Sequence, residues 1–340
     1  INMPIGFDCG TYNLVCCRRD GKKKGFTHKR EVNAFIEMPI ENRFVFNMMK
    51  NAGVPLIERK EAGVAYALGE AAVNIAYTMN NVELKRPMKD GCLNPREKYA
   101  QQVMSIMMHS LLDDLDHEKE LLYYSVPANA INQETDADYH AKILEAVFNA
   151  FEDENGKKVE AHPINEALAL VYAELESKSY TGIGISFGAG MVNLCFSIFG
   201  APAFEFSLVN SGDWIDKMAA KATGESPTFI NKEKMKLDLT VDSDSLVQRA
   251  IKSQYEIMIQ KTITGIKKGV EKAGNKARGD NAIDIVIAGG TSSPPGFEKL
   301  FSDVIKEANV PIEIGEIIQP SDPLYSVARG CLVAAEAAAQ

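Results

Sequence analysis

Two separate stretches of the chain share one order of apolar, glycine and polar positions. Residues 5–17 read IGFDCGTYNLVCC and residues 183–195 read IGISFGAGMVNLC, a shift of 178 positions from Ile5 to Ile183. Each stretch predicts a strand, a glycine turn and a second strand, followed by a further strand-like stretch at 25–32 or 202–209. The repeat indicates two homologous α/β lobes.

The spacing of apolar residues predicts helices and buried strands between these units. Short apolar runs predict strands at 121–127 and 283–288, and the segment 159–176 is expected to begin as a strand and to become a helix at Asn165. Helical spacing occurs over residues 97–115, 135–151, 213–223, 245–273, 298–309 and 325–339.

Composition and charge narrow the class of protein. The 340 residues are enough for two cores, the net charge is −9, and the pI is near 5.3. Because affinity for nucleic-acid backbones comes from clustered Lys and Arg, no direct contact with nucleic acid is expected. The one basic run, residues 18–24, surrounds Asp20-Gly21 and is interpreted as a solvated hairpin tip.

Cysteine usage and hydropathy point to a reducing compartment. The six cysteines form no CxxC pair and the five histidines show no metal-ligand spacing, which favours buried thiols over disulfides or a metal site. We find no signal peptide and no run of 18 apolar residues, so a cytoplasmic protein is expected. Residues 1–4 (INMP) cannot form an amphipathic helix, and membrane contact has no support in the sequence.

Two glycine turns occupy equivalent places in the repeat. They are residues 10–13 (GTYN) and 188–190 (GAG), and a third, Gly289-Gly290, follows a predicted buried strand. Backbone N–H groups in such turns can approach an anion closely because no Cβ intervenes. Facing each other across a cleft, the first two turns could hold a polyphosphate from both sides.

These motifs resemble those of a known superfamily. Residues 8–13 (DCGTYN) resemble the first phosphate motif of the actin, DnaK-type chaperone and sugar-kinase superfamily, and residues 186–190 (SFGAG) resemble the second. Residues 286–291 (VIAGGT), followed by 295–297 (PGF), resemble the adenosine motif. Residues 86–91 (RPMKDG) are similar to a stretch of the bacterial actin MreB. The resemblance to the MreB and ParM group covers nearly the whole chain in the correct order.

The resemblance implies the actin-like ATPase fold (ribonuclease H-like), with two lobes flanking a nucleotide cleft. Lobe I is expected to comprise 1–165 and 325–340, with a small subdomain inserted at about 32–77. Lobe II is expected to comprise 166–324, with an insertion at about 211–274.

The same resemblance implies ATP or ADP with Mg²⁺ as the bound group. Asp8 would orient the Mg²⁺-bound waters and Glu166 would position the attacking water, while Glu233 and Lys236 would contact the ribose. The remaining implied binding residues form the phosphate loops and the adenosine site: Gly10, Thr11, Tyr12, Asn13, Ser186, Gly188, Ala189, Gly190, Gly212, Asp213, Gly289, Gly290 and Thr291. Without the resemblance, Glu166 would be read as an exposed helix acid and Glu233–Lys236 as a surface pair.

The second phosphate motif departs from the family pattern at two positions. Ser186 stands where the family has Asp, and Met191 stands where it has Thr. Stabilisation of developing charge is a large part of catalysis, so these changes predict slow hydrolysis with nucleotide binding retained. Restoring Asp at position 186 is expected to raise the rate of phosphate release.

Three functions fit this sequence. The favoured one is a filament-forming bacterial actin homologue with a weak ATPase, whose subunits stack head to tail. Ser186 and Met191 also fit a non-hydrolysing ATP-binding scaffold resembling FtsA or PilM. A small-molecule kinase of the same superfamily is the third, although no motif for a substrate-activating base is visible.

Overall fold

The computed structural model describes residues 3–20, 25–40, 43–60, 63–78, 82–97, 99–112, 115–274 and 282–340. The predicted hairpin tip at 21–24 lies outside these residues. The described strands are β1 (Ile5–Cys9), β2 (Asn13–Arg19), β3 (Phe26–Val32), β4 (Phe35–Pro39), β5 (Leu56–Arg59), β6 (Val64–Leu68), β7 (Met88–Lys89), β8 (Cys92–Leu93), β9 (Lys119–Val126), β10 (Lys158–Asn165), β11 (Gly182–Phe187), β12 (Val192–Ile198), β13 (Ala201–Leu208), β14 (Ile283–Ala288) and β15 (Ile314–Ile318). The described helices are α1 (Arg43–Asn51), α2 (Gly69–Thr78), α3 (Ala100–Leu112), α4 (Ala137–Asn149), α5 (Glu166–Glu174), α6 (Gly212–Thr223), α7 (Pro227–Lys234), α8 (Leu246–Ala273), α9 (Phe297–Glu307) and α10 (Ser326–Ala338).

Two five-stranded sheets repeat one topology. The first has the order β3-β2-β1-β9-β10 and the second β13-β12-β11-β14-β15. In each sheet the first three strands are antiparallel and the last two run parallel to the central one. Asp8 pairs with Val15, and Ser186 pairs with Asn193 at the same shift of 178 positions. We call the first sheet with its packed helices lobe I and the second lobe II, and the predicted two-lobed α/β fold is confirmed.

Each lobe has its own apolar core. In lobe I the sheet packs against α3 and α4, where period-2 strand residues such as Phe7 and Tyr124 meet helix residues such as Met108 and Phe148. In lobe II the sheet packs against α6, α8 and α9, in a cluster that includes Phe187 and other fully buried side chains. Burial of these apolar side chains between sheet and helices is the main source of stability for such layers.

Helices α5 and α10 lie between the lobes and pack on each other. Their contact is made by small residues, and a Cβ added to Gly330 would collide with the carbonyl oxygen of Ala169. Glycine is required here because the two backbones meet with no room for a methyl group.

A small three-stranded sheet, in the order β4-β6-β5, lies within the segment 35–68 with α1 and α2 nearby in the chain. The sequence did not predict these short elements, nor α7, whose first turn is fixed by Pro227 and by the cap from Ser226. The predicted helices exist, and their ends lie within three residues of the predicted ones.

Candidate active site

A cleft of about 380 Å³ lies between the two lobes and gathers most of the predicted site residues. Gly212, Glu233 and Lys236 are not among its lining residues. The predicted residues that do line it are Asp8, Gly10, Thr11, Tyr12, Asn13, Glu166, Ser186, Gly188, Ala189, Gly190, Asp213, Gly289, Gly290 and Thr291.

The first glycine turn is shaped by a residue that the sequence reading missed. The amide Nδ2 of Asn33 donates to the carbonyl of Gly10 at 3.0 Å, and its backbone N–H donates to the carbonyl of Tyr12 at 2.8 Å. Asn33 is fully buried at the end of β3. Asn13, at the exit of the turn, keeps a buried Oδ1 atom with no hydrogen-bond partner among the described residues.

The second glycine turn is held from behind through its carbonyl groups. The Thr291 hydroxyl donates to the carbonyl of Gly188 at 2.8 Å, and the N–H of Gly212 donates to the same oxygen at 3.1 Å. The N–H of Asp213 donates to the carbonyl of Ala189 at 2.8 Å. Gly212 therefore lies behind the turn rather than in the cleft, and it fixes the direction of the peptide groups.

The two turns touch across the cleft. A Cβ added to Gly190 would collide with Oγ1 of Thr11 and would lie 2.5 Å from the backbone nitrogen of Gly91. Only glycine at position 190 allows this approach. The cleft is therefore closed at the end formed by the two turns, and both turns are in reach of one small anion.

Two carboxyl groups face the cleft next to the turns. Asp8 lies one residue before the end of β1 and accepts a hydrogen bond from the Ser125 hydroxyl at 2.8 Å. Glu166 begins α5, whose first N–H groups are capped by the side chain of Asn165. Burial raises the pKa of Asp8, and burial together with the charge of Asp8 raises the pKa of Glu166.

Glu166 is fixed through both of its carboxylate oxygens. Ser186 donates to Oε1 at 2.5 Å and the amide Nδ2 of Asn193 donates to Oε2 at 2.8 Å. Ser186, the departure from the family motif, thus binds the acid directly. Asn193 lines the cleft and was missed by the sequence analysis, which took residue 193 only as part of a strand.

An ion pair joins the two lobes at the edge of the turns. Arg86 lies just before β7 of lobe I, and its Nη1 is 2.7 Å from Oδ1 of Asp213 in lobe II. The same guanidinium lies over the ring of Tyr12, 4.9 Å from its centroid, a cation–π geometry. The sequence placed Arg86 in the motif at residues 86–91 but assigned no function to its side chain.

Helix α7 places different residues in the cleft from those predicted. Glu233 and Lys236 pair with each other at 2.7 Å, while Lys234 and Asn231 line the cleft. The Nζ atom of Lys234 donates to the carbonyl of Gly212 at 2.8 Å. Asn231 and Lys234 are three positions apart, so they share one helix face, which is the signal that could have identified them.

Apolar side chains form another part of the wall of the cleft. They come from the segment after α7, from α8, from the turn after β14, and from the turn before α10 together with the first turn of α10. Such a wall suits a flat heterocyclic ring, while the turns offer polar backbone groups. The wall residues are Met235, Leu237, Tyr255, Pro294, Pro295, Pro323, Leu324 and Val327.

The residues present fit a magnesium–nucleotide complex. Mg²⁺ keeps several waters and is bound by one or two carboxylates with substrate phosphates, rather than by an all-protein cage. Within the described ranges no group of three or more His, Cys, Asp or Glu could hold a metal ion by itself, whereas Asp8 faces the cleft beside both turns. The unpartnered Oδ1 of Asn13 at the exit of the first turn adds a further polar acceptor.

Comparisons with known proteins agree with this architecture. The model of the Volactin family matches residues 3–335. A double-helical filament of MamK is 14% identical, covers 98% of each chain and has a TM-score of 0.70. MreB 5 of Spiroplasma citri bound to AMPPNP is 15% identical, with 97% of this chain and 94% of that chain covered and a TM-score of 0.66.

The ethanolamine utilization protein EutJ from Carboxydothermus hydrogenoformans is also similar, at 15% identity, with 98% of this chain and 90% of that chain covered and a TM-score of 0.53. No curated sequence matches the chain significantly. These likenesses establish an actin-like fold and confirm the predicted resemblance to bacterial actins. Across the described ranges, we find no helix with the length and apolarity to cross a membrane.

Proposed function

This chain belongs to the Volactin family, and on that premise we propose that it is an actin-like protein that binds ATP with Mg²⁺ and assembles head to tail into filaments. The observation that carries the proposal is the meeting of two glycine turns beside Asp8 and Glu166 at the floor of one cleft. MamK forms a double-helical filament on the same fold, and MreB 5 binds AMPPNP.

Each side of the cleft has a distinct part in nucleotide binding. The turns at 10–13 and 188–190 present backbone N–H groups to the phosphates. We propose that the apolar wall with Tyr255 and Leu237 receives the base and that Lys234 and Asn231, which line the same cleft, contact the sugar. Asp8 would hold Mg²⁺ through water, and a bound Mg²⁺ supplies neutralisation of phosphate charge.

We propose slow hydrolysis, with Glu166 as the residue that orients the attacking water. Phosphoryl transfer depends on positioning and on charge stabilisation rather than on covalent catalysis by the protein. Ser186 brings a hydrogen bond but no charge, and Met191 brings neither. The same two residues favour the second candidate, a scaffold in which ATP is a permanent structural ligand.

Sedimentation tests the proposal. Purified protein is centrifuged at high speed with Mg-ATP, with Mg-AMPPNP, with Mg-ADP and without nucleotide, and phosphate release is followed in parallel. We expect ATP and AMPPNP to promote pelleting, and pellets formed with ATP to dissolve as phosphate appears. Protein that binds ATP but stays in the supernatant, with no phosphate released, would favour the scaffold.

A further inference from the structure

Three polar residues form a continuous row across the sheet of lobe II. Ser186 on β11 pairs with Asn193 on β12, and Asn193 pairs with Ser207 on β13. Their side chains are almost completely buried, with exposed fractions of 1%, 2% and 0%. Polar groups at such positions cost free energy unless each has a partner.

The hydrogen bonds of the row run in one direction and end on Glu166. The Ser207 hydroxyl donates to Oδ1 of Asn193, which leaves the amide NH₂ of Asn193 facing Glu166. When Glu166 is ionised its carboxylate only accepts hydrogen bonds, so an amide turned the other way would then place two acceptors against each other. Ser207 therefore fixes which end of the Asn193 amide faces the acid, and Ser186 holds the other carboxylate oxygen.

The matching row of lobe I has a different composition. At the shift of 178 positions, Ser186 and Asn193 correspond to Asp8 and Val15, and Val15 pairs with Arg30 on β3. An apolar residue thus interrupts that row. The polar row is a feature of lobe II, whose sheet faces the first turn of α5 and hence Glu166.

We propose that Asn193 and Ser207 are positioning residues that fix the orientation of the Glu166 carboxylate for the attacking water. The inference rests on the proposed ATPase function and names the residues that set its rate. With one donor on each oxygen, the carboxylate plane is fixed and one lone pair of each oxygen stays available. Displacing a reacting group by about 1 Å can lower the rate of a reaction about a hundredfold. We therefore expect loss of the row to lower kcat for ATP hydrolysis and to leave the affinity for ATP almost unchanged.

Steady-state ATP hydrolysis by the full chain separates an effect on turnover from an effect on ATP binding. We expect Asn193→Leu to lower kcat about ten- to a hundredfold and Ser207→Ala to lower it several-fold, each with KM for ATP within about twofold of wild type. Ser207→Thr keeps the hydroxyl and is expected to restore kcat. The control is Ser197→Ala on the same strand as Asn193, since Ser197 is fully buried but donates to the carbonyl of Tyr180.

Binding of AMPPNP and the melting temperature are measured for every variant. Should Asn193→Leu fail to fold, the comparison of Ser207→Ala with Ser207→Thr decides the matter. An active wild type with unchanged kcat in the Asn193 and Ser207 variants would overturn the inference and leave the proposed function standing. A wild type that binds AMPPNP but releases no phosphate would overturn both the inference and the proposed hydrolysis.

Discussion

Nη1 of Arg86 lies 2.7 Å from Oδ1 and 2.9 Å from Oδ2 of Asp213, so that one nitrogen serves both oxygens of a carboxylate on the other lobe. The two side chains are only 22% and 18% exposed. Since Asp213 also anchors the second glycine turn through its backbone N–H, the pair connects both turns to one guanidinium.

Breaking this pair is expected to speed nucleotide release. Arg86→Gln and Asp213→Asn each leave one partner without its opposite charge at a partly buried site, and we expect a rise of about tenfold in the dissociation rate of a fluorescent ATP analogue. Stopped-flow chase with unlabelled ATP measures that rate.

The exposed pair Lys299–Asp303 on α9 provides the control, because exposed ion pairs contribute little. Asp303→Asn should leave the rate unchanged. An unchanged dissociation rate in both Arg86→Gln and Asp213→Asn would show that the ion pair does not limit opening of the cleft.

Two lysines of the segment 234–236 are expected to differ in their effect on ATP affinity. Lys234 is 11% exposed, lines the cleft and pairs with Asp216, whereas Lys236 is 57% exposed and pairs with Glu233. We expect Lys234→Met to weaken ATP binding about tenfold and Lys236→Met to have a smaller effect. Isothermal titration with AMPPNP ranks the two. The reverse order would support the ribose contacts first implied by the sequence.

Ser186→Asp tests the departure from the family motif. The new carboxylate would stand against Glu166, so we expect the nucleotide-free protein to lose about 1–3 kcal/mol of stability. With Mg-ATP the added charge faces the cation, and faster phosphate release is expected. Ser186→Asn is the uncharged control, and the measurements are the melting temperature with and without Mg-ATP and the rate of phosphate release. Slower release by the Asp variant would contradict the account of Ser186.

The raised pKa values of Asp8 and Glu166 predict a pH dependence of stability without nucleotide. The folded state binds protons more tightly than the unfolded state at these two groups, so their contribution is complete below about pH 4 and is lost as the pH rises through their raised pKa values. Glu166→Gln removes one of the two groups. The free energy of unfolding of this variant is compared with that of wild type at about pH 5 and about pH 8. We expect it to fall less between these two pH values in Glu166→Gln than in wild type.

Urea denaturation at both pH values measures this difference. Glu225→Gln makes the same change of charge on an exposed side chain and should follow wild type. Parallel pH profiles for wild type and Glu166→Gln would show that the carboxyl of Glu166 does not titrate in this range.

The sequence predicted those features that depend on neighbours in the chain. The repeated strand–turn–strand units could be recognised because strand alternation and turn glycines are local signals. The positions of Gly10 and Gly188 followed from the same units, and both line the cleft. The repetition of these units indicated the two-lobed architecture.

The missed residues act through partners that are distant in sequence. Asn33 bonds to Gly10 across 23 positions, Asn193 to Glu166 across 27, and Arg86 to Asp213 across 127. A single asparagine or arginine has no periodic pattern, so its role appears only when folding brings its partner within hydrogen-bond distance. Helix α7 was also missed, because neither its N-cap, Ser226, nor its two cleft-facing residues, Asn231 and Lys234, were recognised in the sequence.

The close crossing of α5 and α10 has a mechanical consequence. Because the backbones of Gly330 and Ala169 already touch, the helices cannot approach further, and sliding along each other would drive larger neighbouring side chains into the carbonyl groups. Rotation about the crossing point keeps this contact intact. The crossing therefore restricts relative motion of the lobes to rotation about this point, and any such rotation would displace the far rim of the cleft more than the residues at the crossing.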